Sequence, residues 1–211
     1  MTLSEYTFLF LIRTRGWPWP VDSWGLSAMY GEDGWCHGCG MPSGPQVGPL
    51  TLQTRGMRSA NGVFVPNWRL DEYCVSEPIA EELRTRFGVE LREVGWHTKP
   101  KGTAYQIVAP VAEYSWYDPD QLRELLIARH GVTGATCGTC ERWRWMSLGD
   151  ESAPEPRGWP SSEDRPIVKS SEQFGDGWMT LRHTRFRRDV AEFLADASPR
   201  DLSLTVPPDF H

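Results

Sequence analysis

The spacing of apolar residues along the chain changes period several times, and each change marks an expected element. Leu3 to Arg13 is dense in aromatic and β-branched side chains, which predicts a buried strand closed by Gly16 and Trp17-Pro18-Trp19-Pro20. Gly and Pro dominate from there to Pro49, so a long loop is expected. A strand over Trp68 to Ser76 leads into a helix over Glu77 to Phe87, where Ile79, Leu83 and Phe87 share a face. Ser76 is its N-cap, Pro78 sits in the first turn and Gly88 stops it. Val89 to Trp96 and Ala104 to Tyr114 alternate as strands around a turn and suit a hairpin. The clearest helix opens at Asp118-Pro119 and runs to His130 before Gly131, with Leu122, Leu125, Leu126 and Arg129 on one side. Arg142 to Leu148 reads as a strand, Gly149 to Pro166 as an exposed loop, and Gly177 to His183 as another strand. Thr184 to Ala197 has a helical stripe of Phe186, Val190, Phe193, Leu194 and Ala197 with Thr184 as N-cap, and Leu202 to Val206 closes as a strand.

Strands and helices are interspersed without the regular alternation of a doubly wound sheet. The expected fold is therefore α+β, a mixed or antiparallel sheet with about three helices, in one domain over 1–211. Leu, Ile, Val and Phe supply only 43 of 211 residues, a share that in a highly charged chain would signal disorder. Eleven Trp and six Tyr raise the large apolar total to 60, and the formal charge is only −6, so an aromatic-rich core is expected instead. The acidic balance, with a pI near 5.4, argues against a nucleic-acid partner, which needs clustered Lys and Arg. The longest apolar run, Tyr6 to Ile12, is too short to cross a bilayer, and its flanks lack export-signal features. A cytoplasmic protein with no membrane partner is expected.

Chemical specificity is concentrated in the cysteines. Cys36-His37-Gly38-Cys39-Gly40 and Cys137-Gly138-Thr139-Cys140-Glu141 each place two residues between thiols, which lets a tight turn aim both sulfurs at one ion. Two such knuckles form a closed tetrahedral site, so Cys36, Cys39, Cys137 and Cys140 are the expected ligands of one structural Zn²⁺; thiolate softness also admits iron. The 97 residues between the pairs exceed an ordinary zinc-ribbon linker. Closing a loop of that size costs about 4 to 5 kcal/mol, well below the roughly 10 to 16 kcal/mol of structural zinc in peptides. The ion can therefore clamp remote segments into a zinc-ribbon-like unit, with halves around 30–45 and 134–148 and an inserted α/β segment over 46–133. Four protein ligands leave no position for a reacting water. The alternatives are unmetallated or disulfide-linked thiols and redox chemistry at a C-x-x-C pair, and against the redox reading neither pair precedes a helical pattern.

Other residues invite plain readings. His37 could replace a thiolate, Cys74 suits a buried apolar strand, and Glu72, Glu81 and Glu82 suit solvated surface. The chain has no phosphate loop, nucleophile elbow or H-E-x-x-H motif, so no enzyme is expected. From Asp150 to Asp164 acidic residues outnumber basic ones by four. Asp150, Glu151, Glu155, Trp159, Glu163 and Asp164 are accordingly candidates for contacting a basic partner, against the reading of a solvated linker. For Trp17, Trp19 and Trp24 core packing is the default.

Trp35-Cys36-His37-Gly38-Cys39-Gly40 with a distant second C-x-x-C resembles the double-CXXCG proteins of myxobacteria, and the strand, helix and short strand over 166–208 look like that family's C-terminal module. Glu141 departs from the pattern, standing where the family has glycine after the second pair. The resemblance implies an immunity protein of a Sit toxin cassette, which binds and neutralises a cognate toxin protein stoichiometrically. It carries over Cys36, Cys39, Cys137 and Cys140 as metal ligands and offers no motif for toxin contact. The readings from other classes are a zinc-ribbon module that binds nucleic acid or regulates, and an uncharacterised enzyme.

Overall fold

A computed structural model describes residues 6–12, 16–54, 57–157 and 165–205. The fold is α+β, with four α-helices among these residues: α1 (Leu26–Tyr30), α2 (Glu77–Phe87), α3 (Pro119–His130) and α4 (Arg188–Ala197). The strands form several small sheets rather than one. Val63–Phe64, Cys74–Ser76, Ala104–Ile107 and Leu91–Glu93 lie side by side in that order, all antiparallel. Leu91 pairs with Ile107 and Glu93 with Tyr105, so the expected hairpin is present. Beyond Val94, however, Gly95–Trp96 leaves it to pair in parallel with Thr51–Gln53. Beside the two C-x-x-C segments, Gly134–Thr136, Trp143–Trp145, Phe174–Asp176 and Met179–Leu181 form a mixed sheet.

Local chemistry accounts for the helices that were legible. Gly88 and Gly131 end α2 and α3 in the left-handed conformation. The Asp118 carboxylate caps α3 by accepting from the N–H groups of Asp120 and Gln121, whereas Ser76 makes no side-chain cap to α2. Ile79, Ala80 and Leu83 of α2 face Val190, Ala191 and Leu194 of α4 in the larger core, and Phe87 meets Phe193 at 5.6 Å between ring centroids. A second core gathers Trp116, Tyr117, Leu148, Val168 and Phe174 under Leu122 and Leu126 of α3, while Leu125 is turned to solvent.

Four expectations are corrected. The segment Leu3 to Arg13 is not one strand within its described part. Tyr6–Thr7 pairs with Thr184–Arg187 and Phe10–Leu11 with Leu202–Ser203, because the two halves serve different sheets. Thr184 to Arg187 is itself a strand, so Thr184 is not an N-cap and α4 begins at Arg188. Flanked on both sides by Tyr6–Thr7 and Ile167–Lys169, its backbone is satisfied as a central strand, which overrides the helical stripe. Trp68 to Tyr73 turns instead of extending, and only Cys74–Ser76 is strand. The Gly/Pro-rich stretch also contains α1, for which its composition gave no sign.

Beside the second core, His183 is buried between two partners, the Tyr117 hydroxyl at 2.6 Å from Nδ1 and the Leu148 carbonyl at 2.7 Å from Nε2. The carbonyl can only accept, so Nε2 carries the proton and Nδ1 accepts from Tyr117. Burial pushes the His183 pKa down, against the attraction of Asp150. A depressed imidazole adds stability above its unfolded pKa, about 6.5, and that contribution is lost as pH falls toward the folded value. Urea unfolding should therefore show stability falling from about pH 7 to pH 5.5, and a His183→Gln chain should lack that step; an identical slope in both chains would refute it.

Candidate metal centre

The two C-x-x-C segments fold into matching knuckles at the tips of two β-ribbons. In the first, the N–H of Cys36 donates to the Met41 carbonyl at 2.8 Å and that of Gly40 to the Cys36 carbonyl at 2.7 Å. In the second, Cys137 N–H donates to Arg142 at 3.0 Å and Glu141 N–H to Cys137 at 2.9 Å. The flanks match too, Trp35 bridging Pro42 as Thr136 pairs with Trp143. The knuckles face each other, bringing Cys36 Sγ to 3.8 Å from Cys137 Sγ and Cys39 Sγ to 3.7 Å from Cys140 Sγ. All four sulfurs lie within 4.8 Å of one another. A tetrahedron with metal–sulfur bonds of about 2.3 Å has edges of about 3.8 Å, so the donor set fits a thiolate-bound ion.

Backbone constraints explain the small residues in the first knuckle. A Cβ on Gly38 would sit 2.4 Å from Thr139 Oγ1, so a side chain there would have to displace the Thr139 hydroxyl. Gly40 has φ +73°, and a Cβ would lie 2.5 Å from the Trp178 carbonyl oxygen. Its counterpart Glu141 is held at φ +59°, the left-handed region expected of a glycine replacement. That conformation costs a non-glycine residue about 1–2 kcal/mol, part of which a glycine would return as unfolded-chain entropy. Glu141→Gly should thus stabilise the protein by about 0.5 kcal/mol, seen as a higher denaturation midpoint with unchanged metal content. Destabilisation would show that the Glu141 side chain contributes more than its strain.

Arginines of the second ribbon hold the first knuckle's carbonyls. Arg142 donates to Met41 O at 2.9 Å and Arg144 to Cys39 O at 3.0 Å, while the Thr180 hydroxyl also donates to Cys39 O, at 2.9 Å. The thiols differ in ionisation. Burial pushes Cys39 up to about 12, whereas the backbone N–H groups of Cys140 and Thr139 draw the half-buried Cys137 down to about 6. For Cys140 burial opposes ionisation, but the Arg142 N–H and guanidinium outweigh it and lower the pKa. Cys137 and Cys140 therefore offer thiolates first, and an entering metal displaces the proton of Cys39.

Among the other sequence candidates, His37 is outside the sulfur cluster: its ring stacks on Trp35 and Nε2 bonds the Glu32 carbonyl at 2.8 Å. Cys74 is fully buried, its thiol pKa pushed well up by burial. The loop following Leu148 is not wholly exposed. Asp150 turns inward to an ion pair with the buried Arg185, which draws it away from the surface role expected of it, while Glu151 and Glu155 are exposed. Trp159, Glu163 and Asp164 lie outside the described residues. Trp17 is in the core as expected, but Trp19 is at the surface and Trp24 is half-buried.

Sequence reading missed a buried ionic cluster beside the metal centre. Lys169 Nζ lies 3.3 Å from Asp71 and 3.1 Å from Glu72, and Arg69 reaches Glu72 at 3.2 Å. Glu81 and Glu82 are exposed on α2 as expected, yet Glu72 is buried, its second oxygen accepting from Gln106 at 2.8 Å. These residues line a cavity of about 260 Å³ whose rim includes Pro42 and Gln46. The one sequence signal was the density of charge in Arg69-Leu70-Asp71-Glu72 next to a buried strand. No helix of the described residues is long and apolar enough to cross a membrane. Comparison with protein-family models, curated proteins and solved structures gives no match.

Proposed function

We propose that the chain is a zinc-clamped immunity protein that neutralises a cognate toxin by stoichiometric binding. The observation carrying this reading is the closed set of four cysteine sulfurs at tetrahedral spacing, which leaves a bound ion no coordination position for chemistry. The ion's contribution is then to fix two ribbons 97 residues apart and the surfaces they carry. Thiolate donors suit Zn²⁺, which adds no redox chemistry of its own. The resemblance of the first knuckle and its distant C-x-x-C partner to the double-CXXCG proteins, from which Glu141 departs, supplies the immunity part of the reading. A net charge of −6 suits a basic partner protein better than nucleic acid. A catalytic reading would start from the Arg69, Asp71, Glu72 and Lys169 cavity, but there the charged groups are engaged with one another.

The test is co-expression with a candidate toxin, should one be encoded beside the gene. Co-purification at one-to-one stoichiometry and survival of toxin-expressing cells are expected; a toxin neither bound nor neutralised would overturn the proposal. Elemental analysis should find about one zinc per chain.

A further inference from the structure

Beside the first knuckle lies a cleft built from tryptophans that are distant in sequence. Trp24 stacks on Trp68, with ring centroids 5.5 Å apart and planes 15° apart, and Trp178 stands edge-on to Trp24 at 6.5 Å. Trp19 extends the wall at 6.4 Å from Trp68. Burial does not account for these rings: Trp68 is 41% exposed, Trp178 39% and Trp19 36%. Trp24 and Trp68 are also held at φ +56° and +67°, a conformation that bulky side chains avoid. The cleft they enclose measures about 550 Å³ and is completed by Asp176, Gly177 and Met179.

Its charge selects the occupant. Asp176 is the one ionisable side chain among the lining residues, and it is exposed. Arg144, which reaches this turn, donates to the carbonyls of Gly177 and Cys39. Tryptophan faces attract cations more strongly than other aromatic side chains do, and a guanidinium both stacks on them and pairs with a carboxylate. An anionic ligand would meet the exposed Asp176 carboxylate, while the guanidinium of Arg144 is directed to backbone carbonyls and does not line the cleft. We infer that this cleft is a binding site for an arginine side chain presented by a partner protein, stacked on the tryptophans with Asp176 as its counter-ion. The inference rests on the immunity reading for the identity of that partner, the toxin, though not for the chemistry of the cleft.

The metal centre holds one wall in place. Trp35, which precedes Cys36, packs edge-on against Trp178 at 5.4 Å, and Gly40 lies flat against the Trp178 carbonyl. Cleft geometry therefore depends on the first knuckle, and a chain without metal should bind its ligand more weakly.

The probe is a blocked peptide whose only charges are arginines, titrated into the metal-loaded chain by NMR or tryptophan fluorescence, with the neutral citrulline peptide as control. The arginine peptide should perturb the tryptophans and the citrulline peptide should not. Trp178→Ala and Trp68→Ala should each weaken binding about tenfold, and the milder surface change Asp176→Asn should weaken it with metal content unchanged. No binding by the native chain, equal binding of the citrulline peptide, or full binding by folded, metal-loaded variants would overturn the inference. Toxin capture separates the two ideas. Capture undiminished by both tryptophan substitutions would sink the cleft and leave the immunity reading standing. Arginine binding without capture of any toxin would do the reverse.

Discussion

If the proposed zinc clamp is present, a Cys137→Ser chain should lose stoichiometric zinc and at least about 5 kcal/mol of stability, the margin by which structural zinc, roughly 10 to 16 kcal/mol, exceeds the about 4 to 5 kcal/mol that closing a loop of roughly 100 residues costs. That is a large part of the 5–15 kcal/mol by which domains are usually stable. The loss should be uneven. The larger core, with Ile79, Leu83, Val190 and Leu194, contains none of the four ligands, whereas Cys36, Cys39 and Met41 form a small cluster with Cys137 and Cys140. Once the sulfurs no longer share an ion, the ribbons are joined chiefly by Arg142 and Arg144 to carbonyls and by Thr180 to Cys39. Hydrogen exchange should therefore show amides of 35–42 and 136–143 opening first while α2 and α4 stay protected. Full zinc occupancy together with an unchanged unfolding midpoint in the variant would refute the clamp.

Legibility in the sequence followed how local the deciding interactions are. The knuckles were readable because a C-x-x-C turn closes on itself, so the same hydrogen bonds recur at Cys36 and Cys137 wherever the chain carries them. Helices α2 and α3 carried their own stops in Gly88 and Gly131. Thr184 to Arg187 was misread because its conformation is set by neighbours far along the chain, Tyr6–Thr7 on one side and Ile167–Lys169 on the other. Asp150 looked like surface charge because its partner Arg185 is distant in sequence and buried. The tryptophan cleft was hidden for the same reason: Trp24, Trp68 and Trp178 share no local pattern, and hydropathy assigns large aromatic side chains to the core.

The ionic cluster was likewise invisible, because Lys169 meets Asp71 and Glu72 only through the fold, and it carries the second large effect. Replacing Lys169 by Met should cost about 3 to 5 kcal/mol, since it leaves two buried carboxylates short of a counter-charge. Burial alone would raise the Asp71 pKa, but Lys169 and Arg69 more than offset it and hold the carboxyl below its ordinary value. The sign of the pH dependence follows. A depressed carboxyl contributes stability above its unfolded pKa, about 3.9, and loses it as pH falls through the folded value. Without Lys169 the Asp71 carboxylate favours a proton, so the deficit of the variant relative to the native chain should shrink on acidification from pH 7 to about pH 4. Adding Glu72→Gln to Lys169→Met should recover part of the loss at pH 7, because one stranded charge is gone while Gln can still meet Gln106. Denaturant unfolding of the native, single and double variants across this range is the measurement. A deficit independent of pH, with no recovery in the double variant, would mean that Lys169 matters through the packing of its alkyl stem, not through its charge.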